Sequence, residues 1–537
     1  MQKLFLSIFL ALSVSIQAAD TLQVQLKPLE VQAEIRKTYT QLGRVVSVIE
    51  RSQIASMPVS SIDQLLESIA GVDVRQRGVE GTQADISIRG GSFDQVLILL
   101  NGVNITDPQT GHHNLNIPVN LADVERVEIL QGPAARLLGP NAFSGAINIV
   151  TEHSKARMLN ARMGIGSFGY NTQSLTAGFD RTNFNTLATL NRTTSKGYIP
   201  NTDFETINAF AQATLRANYG GKYSMQLAQQ IKDFGANAFY SFRFPNQFEH
   251  TKTTLFSADA QQTIDKLQLS LGGYYRQNYD RFELFRDMKN ASSWYTAHNY
   301  HISTVAGAKF TSSLSTHFGK FSVLAEYRNE GIVSTVLGDA IDSIVNPYQK
   351  DVSFTKGKNR AITHAALDYS LFLSRVFVSA GGAISHSNDF GPQYTWGVDA
   401  SYSFSPDLQV FVASNSAVRL PTFTDLYYRS ATQNANPNLQ PEHAMSFETG
   451  VKFKRQHFKT DVTLYRRLAT NVIDWVLLPG NAKWESRNMT GINTTGLDVS
   501  AAYNFEAKFF KQFSMSYSYV LLDKQAEGFD SKYALDY

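Results

Sequence analysis

From about Arg157 to Tyr537 the chain reads as strand after strand of roughly 8 to 14 residues, joined by links that alternate in length. The tight links are DRTN (180–183), NYGGK (218–222), IDK (264–266), FGK (318–320), LSR (373–375), SPD (405–407) and KRQ (454–456). The long ones, at 193–205, 231–251, 278–299, 332–359 and 417–443, fall between them. A sandwich has no reason to alternate its connections so strictly, whereas an outer-membrane barrel has short turns on one rim and long loops on the other. About 17 strands are counted in this way, with no helical period among them.

Within the strands one face is apolar and the other polar. In INAFAQATL, Ile207, Ala209, Ala211, Ala213 and Leu215 share one side and Asn208, Gln212 and Thr214 the other; in FKTDVTLYRR, Phe458, Val462 and Leu464 oppose Lys459, Asp461 and Thr463. Soluble sheets alternate likewise, so link length decides the reading. Tyr and Phe gather near strand ends, as in GGYYRQNY and MSYSYV, which suits an interfacial aromatic girdle. Such a barrel is too wide for its own side chains to fill.

Lys3, the apolar run Leu4 to Ile16 and the small pair Ala18-Ala19 make residues 1–19 an expected signal peptide, too short to span a bilayer as a helix. An exported chain without a spanning helix can still cross a membrane as a closed barrel. The 49 Lys+Arg nearly balance the 46 Asp+Glu, so no nucleic-acid partner is expected. With no cysteine, disulfides, thiolate metal sites, a cysteine nucleophile and a lipidated N-terminal cysteine are excluded.

Residues 20–44 are polar and aperiodic and are expected to be flexible. From 45 to 152 the pattern is that of a small mixed α/β domain. VVSVIE, VDVRQ, ADISIRG, VLILLNG and VERVEILQG read as strands, and SSIDQLLESIAG as a short helix capped near Ser60 and stopped by Gly71. The glycines after ISIR, LILLN and EILQ are read as turn residues. This domain is the natural occupant of the barrel lumen.

ISIRGG, VLILLNGVNITD and VERVEILQGPAARLLGPNAFSGAINIVT resemble the plug of TonB-dependent outer-membrane transporters; RLPTFTDLYY (419–428) and NPNLQPE (436–442) resemble a signature of the later barrel. The resemblance implies an all-β transmembrane barrel over 157–537 with an N-terminal α/β plug inside its lumen. Family barrels have 22 antiparallel strands, and this chain stops at SKYALDY, so about five strands and the C-terminus are expected to be missing. By the same resemblance LEVQA (Leu29, Glu30, Val31, Gln32, Ala33) stands where the family carries its TonB box, an extended peptide that adds as a strand to TonB. TonB, driven by the inner-membrane proton-powered ExbB-ExbD complex, and outer-membrane lipids are the implied partners, with room for a surface lipoprotein. The implied cargo is a metal chelate, either a cobalamin-like corrinoid or a ferric siderophore. The chelate brings its own metal, and no resident cofactor is expected.

Charged plug residues in the family meet charges on the inner wall, and Arg89, Glu125, Arg126, Glu128 and Arg136 are assigned to such a latch. The loops expected to touch cargo, by position within the resemblance to cobalamin transporters, carry Gln83, Asp85, Ser92 and the turn PQTGHHN with Gln109, Thr110, Gly111, His112 and His113. Adjacent histidines on an extended chain point apart, and no further ligand stands at metal spacing in sequence, so no metal site is assigned. GIGSFG (164–169) matches a dinucleotide motif by letter but opens the strands without a following helix. HExxH, GxSxG and GxxxxGK[ST] do not occur, and no enzymatic activity is expected. The rival classes are a passive porin, against which the large plug argues, and a surface receptor that binds without transport.

Overall fold

The computed structural model describes residues 46–151, 158–489, 491–505, 512–524 and 530–532. The expected signal peptide and the 20–44 segment with LEVQA lie outside them.

Strands apolar on both faces must be covered on both, and the plug is built around two of these. Every residue of VLILL (β4, Val96–Leu100) and of GAINIVT (β7, Gly145–Thr151) is buried. They pair in parallel, and β1 (Val46–Glu50), β5 (Val103–Asn104) and β6 (Val124–Gln131) complete a five-stranded sheet in the order β1-β6-β7-β4-β5. A separate antiparallel pair joins β2 (Val72–Gln76) to β3 (Ala84–Ile88). Helices α1 (Arg51–Ile54), α2 (Ile62–Glu67) and α3 (Ala135–Leu138) are short. The N-cap of α2 is Ser61, whereas Ser60 holds Gln64 Oε1 through its backbone N–H (2.9 Å) and hydroxyl (3.0 Å). Leu65 and Leu66 of α2 join a core with Ile86, Ile98, Ile129 and Ile147, and that core runs on into the barrel wall at Leu187, Phe210, Ala228 and Leu255. The plug is thereby packed into the lumen by apolar contact as well as by charge.

Among the described residues the surrounding sheet has eighteen strands, with successive pairings antiparallel from Met158–Ile165 to Gln512–Lys524, against about 17 read from sequence. The additional strand, Asp339–Val345, lies inside the expected 332–359 loop and pairs with the end of Ser353–Leu373. Strands here outrun the bilayer: Ser353–Leu373 has 21 residues, whereas about 9–11 tilted residues span the hydrocarbon. Much of what sequence gave as long loop is therefore strand rising past the membrane. Met158–Ile165 stands in the sheet order between Asn171–Arg181 and Gln512–Lys524. Three of the tight links are two-residue hairpins whose first residue, Asp265, Ser374 or Gln456, has positive φ, which matches the twist of the flanking strands.

The alternation is inverted relative to a soluble sheet. Ile207, Ala211 and Leu215 point outward while Asn208, Gln212 and Thr214 are buried toward the plug. Leu215 is 48 %, Leu367 58 % and Leu464 53 % exposed, a ring of bare leucines that only lipid would cover. At the short-turn rim aromatic pairs meet tilted or edge-on across neighbouring residues and strands: Phe321–Tyr369, Phe372–Phe377, Tyr402–Phe404, Phe453–Phe458 and Tyr503–Phe505, with ring centroids 4.6–6.0 Å apart. Tyr517 and Tyr519 of MSYSYV face outward, but Tyr274 of GGYYRQNY is buried inside, and Tyr279, on the opposite face of its strand, is covered by Tyr348 with ring centroids 4.5 Å apart. Tyr274 donates to Glu326 at 2.6 Å, so its polar tip serves the lumen and not the membrane interface.

Candidate functional site

Strand β3 ends in Ile88, and the next two residues take positive φ, Arg89 at +50° and Gly90 at +67°. This turn throws the Arg89 side chain sideways against the wall. Its Nε lies 2.8 Å from Asp498 Oδ2 and its Nη1 2.9 Å from Glu448 Oε2; Nη2 reaches Gln131 at 3.2 Å, and the guanidinium lies 4.2 Å from the centre of the Tyr465 ring. Arg136, on α3, meets Asp368 at 3.0 Å, Asp399, and the Gly397 carbonyl at 2.7 Å. Both arginines are buried, so each is a desolvated cation held by two wall carboxylates. Arg126 has partners within the plug: its Nε is 2.6 Å from Glu128 Oε1, Glu125 stands 4.0 Å from its Nη1, and Glu128 also accepts from Asn148 at 2.9 Å.

The turn after β5 is pinned at both flanks. Asp107 takes Arg276 of the wall at 2.7 Å and the Ser303 hydroxyl at 3.1 Å. The carbonyls of Pro108 and Gln109 accept the backbone N–H groups of Phe423 and Thr424 at 2.9 and 3.0 Å. Gln109 donates to Asp280 at 2.8 Å, Gly111 N–H to Asp94 at 2.6 Å, and the Thr110 hydroxyl caps the one-turn helix Gly111–His113. His112 stacks on Phe93 (4.3 Å) with Nδ1 2.5 Å from Asp85 Oδ1. Burial works against a charge on Asp85, but His112 and Arg77, the latter 2.6 Å away, outweigh it and lower the carboxyl to about 2. His113 lies between Glu249 (3.2 Å) and Asp280 (3.9 Å). Burial disfavours its imidazolium, yet Asp280, Glu249 and Asp107 raise it to about 9.

Most of the expected cargo-facing residues are therefore packed in place. Gln83 is buried with its amide donating to Tyr240 at 2.7 Å. Asp85, Ser92 and Phe93 border a cavity of about 170 Å³ with Arg77 and Tyr240, whereas Gln83 and His112 border a larger one of about 260 Å³ running down beside Lys232. Gln109, Thr110 and His113 are buried against the wall.

Other junction residues carry no mark in the sequence. Arg328 donates to the Asn104 and Thr106 carbonyls at 3.1 and 2.9 Å, Lys232 to the Gly81 carbonyl at 2.7 Å, and Gln95 to Glu442 at 2.7 Å. Arg419 gathers Asp425, Glu442 (2.6 Å) and the plug's Asp94 (3.4 Å). The motifs RLPTFTDLYY and NPNLQPE contain Arg419, Asp425 and Glu442, so together they build this cluster behind the plug, while Phe423 and Thr424 of the first also hold the apex.

An inside-out barrel stoppered by a folded domain that is tied to its wall by buried ion pairs is a gated outer-membrane receptor in architecture. The chain belongs to the TonB-dependent receptor family: the TonB dependent receptor-like β-barrel model matches residues 234–537 and the TonB-dependent receptor plug domain model residues 40–146. Among curated relatives it is 22% identical to a vitamin B12 transporter BtuB of Vibrio vulnificus over 85% of this chain and 72% of that protein. It is 23% identical to the Photobacterium profundum BtuB over 91% and 77%. Among solved structures it superposes on the siderophore receptor PirA of Pseudomonas aeruginosa with TM-score 0.69 at 16% identity, covering 89% of this chain and 85% of that one. The copper transporter OprC matches with TM-score 0.73 at 12% identity, over 91% and 81%. These likenesses fix the fold and the outer-membrane location, and family membership makes TonB the implied partner.

Proposed function

We propose that the chain imports a scarce metal chelate, a cobalamin-like corrinoid or a ferric siderophore, by TonB-dependent transport across the outer membrane. The observation that carries this reading is the buried plug–wall junction at Arg89 and Arg136: a stopper held by ion pairs can be held shut at rest and drawn loose by force. Leu29 to Ala33 serve as the TonB box and transmit that force, generated by the proton-driven ExbB-ExbD complex. Arg89 and Arg136 latch the plug to the wall, and Glu125, Arg126 and Glu128 stiffen the strand that carries the load. Cargo is met by the outer loops and by Gln83, Asp85, Ser92 and the Gln109–His113 apex, whose packed state at rest means that binding must rearrange them. Curated relatives that are vitamin B12 transporters favour the corrinoid. The protein performs no chemistry on its cargo and needs no cofactor. Its surroundings are outer-membrane lipid, with a surface lipoprotein as an optional partner.

The experiment is growth of a knockout strain on limiting cyanocobalamin or on limiting ferric chelates, complemented by the gene with and without codons 29–33. Rescue on one nutrient names the cargo class. Deleting the five residues should abolish rescue while leaving surface binding of the same nutrient intact, and rescue that survives the deletion refutes the assigned box.

A further inference from the structure

Behind the plug apex three groups from three separate elements converge: His113 of the Gly111–His113 turn, Glu249 of the wall strand Phe248–Ile264 and Asp280 of Leu267–Glu283. One ligand atom of each lies within 4.8 Å of the other two. The Nε2 of His113 is 3.2 Å from Glu249 Oε1 and 3.9 Å from Asp280 Oδ2. Donors around a tetrahedral ion at metal–ligand distances of about 2.0–2.2 Å stand roughly 3.3–3.6 Å apart. One edge of that polyhedron is thus nearly in place, and a second needs a few tenths of an ångström.

A second, independent observation points to a missing electrophile. Asp280 is only 4 % exposed, and its Oδ1 has no hydrogen-bond partner. The Oε1 of Gln109, whose Nε2 is docked on the same carboxylate, is equally buried and equally unpartnered. A stranded buried acceptor costs about 1–3 kcal/mol, and two beside one another mark a place where a donor or cation belongs. Of the neighbouring cations, Arg276 holds Asp107 through Nη1 at 2.7 Å and leaves its Nε and Nη2 without a hydrogen-bond partner, and Arg281 stands 3.0 Å from Glu283. Two carboxylates thus face a single imidazole in a buried space.

We propose that His113, Glu249 and Asp280 bind a divalent transition cation of the zinc or manganese type, which ties the plug apex to the barrel wall. One imidazole nitrogen and two carboxylate oxygens suit such borderline ions, and a soft ion would ask for sulfur that the site lacks. Gln109 Oε1 or a water completes the shell. Metal on Nε2 puts the proton of His113 on Nδ1, which then needs an acceptor. Asn278 stands 3.3 Å from Nδ1, and turning its amide over supplies that acceptor while the Thr253 hydroxyl, 2.7 Å from it, switches from donating to accepting. Sequence spacing could not reveal this site, because its carboxylates come from strands far along the chain. It depends on no assumption about cargo.

The test is zinc binding by tag-free full-length protein in detergent, stripped with chelator, titrated calorimetrically and assayed for zinc content after gel filtration. Wild type should retain one zinc per chain. Glu249→Gln and Asp280→Asn, which keep shape, should each weaken binding about tenfold or more. His113→Ala should abolish it, and His250→Ala, altering the separate His250–Asp233 pair, should leave it unchanged. Circular dichroism of each variant reports whether the barrel is intact. A wild type that retains no zinc overturns the proposal, as does zinc that all three substitutions leave in place. Uptake enters nowhere, so failure here leaves the transport reading standing and the reverse also holds.

Discussion

Arg89 and Asp498 meet at 2.8 Å across 409 residues of sequence, one on the plug and the other on the inner wall. With Glu448 at 2.9 Å the arginine is held by two buried anions. Removing it strands both, and the cost of an uncompensated buried charge exceeds what the ion pair contributes when whole. Arg89→Ala should therefore weaken plug docking by about 3–5 kcal/mol. The triple change Arg89→Ala, Glu448→Gln, Asp498→Asn should be milder than the single one. The urea midpoint at which the plug becomes protease-sensitive measures both, and a triple variant worse than the single would contradict the argument.

Gly132 holds φ +82° and brings the plug backbone against the same wall carboxylate: a Cβ there would lie 2.2 Å from Glu448 Oε1. Gly480, at φ +84°, has nothing within 4 Å of the same position. Gly480→Ala should thus cost only the conformational strain, about 1 kcal/mol. Gly132→Ala should cost more, because Glu448 must also move off Arg89. Chemical denaturation of the two variants side by side separates strain from collision, and equal losses would mean that the wall gives way freely.

How much of this was legible follows from where each partner sits. The plug strands could be read because glycines with positive φ at 90, 102 and 132 punctuate them. The barrel could be read because lipid outside and polar groups inside impose a two-residue period. Arg89 and Arg136 stood out as charges beside apolar plug strands, but Glu448, Asp498, Asp368 and Asp399 look like any other polar-face residue. Only barrel register brings those four to the junction. Arg126 and Glu128 are legible in another way, since residues two apart on a strand share a face and can pair with each other, as these do at 2.6 Å. The 332–359 loop was misjudged for another reason: strands that rise beyond the bilayer lose their apolar face while keeping their hydrogen bonds.

Leu464 lies midway along Phe458–Thr470 with its side chain on the lipid side. Leu464→Arg should destabilise the barrel in liposomes by about 2–4 kcal/mol if that level is the bilayer midplane, and by less toward an interface. In a detergent-free soluble protein an exposed Leu→Arg change is close to neutral. Urea titration of tryptophan fluorescence in vesicles distinguishes the two, and a neutral result would place this face in water.

Asp94 links the plug to the Arg419 cluster and should give docking a pH dependence of definite sign. Burial is the largest influence and raises its carboxyl; Arg419 opposes it, while Asp425 and Glu442 add repulsion, leaving it at about 7 against an unfolded value of 3.8. Between these values the docked plug binds more protons at Asp94 than the unfolded chain does. Stability from this group is therefore full below about pH 4 and is lost as pH rises toward 7. Asp94→Asn mimics the protonated side chain, and its amide oxygen can still accept from Gly111 N–H. Urea midpoints for plug release measured from pH 4 to 7 should fall more steeply for wild type than for Asp94→Asn, so that the variant gains relative stability as pH rises. Parallel curves would show that Asp94 stays ionised throughout and that Arg419 outweighs its burial.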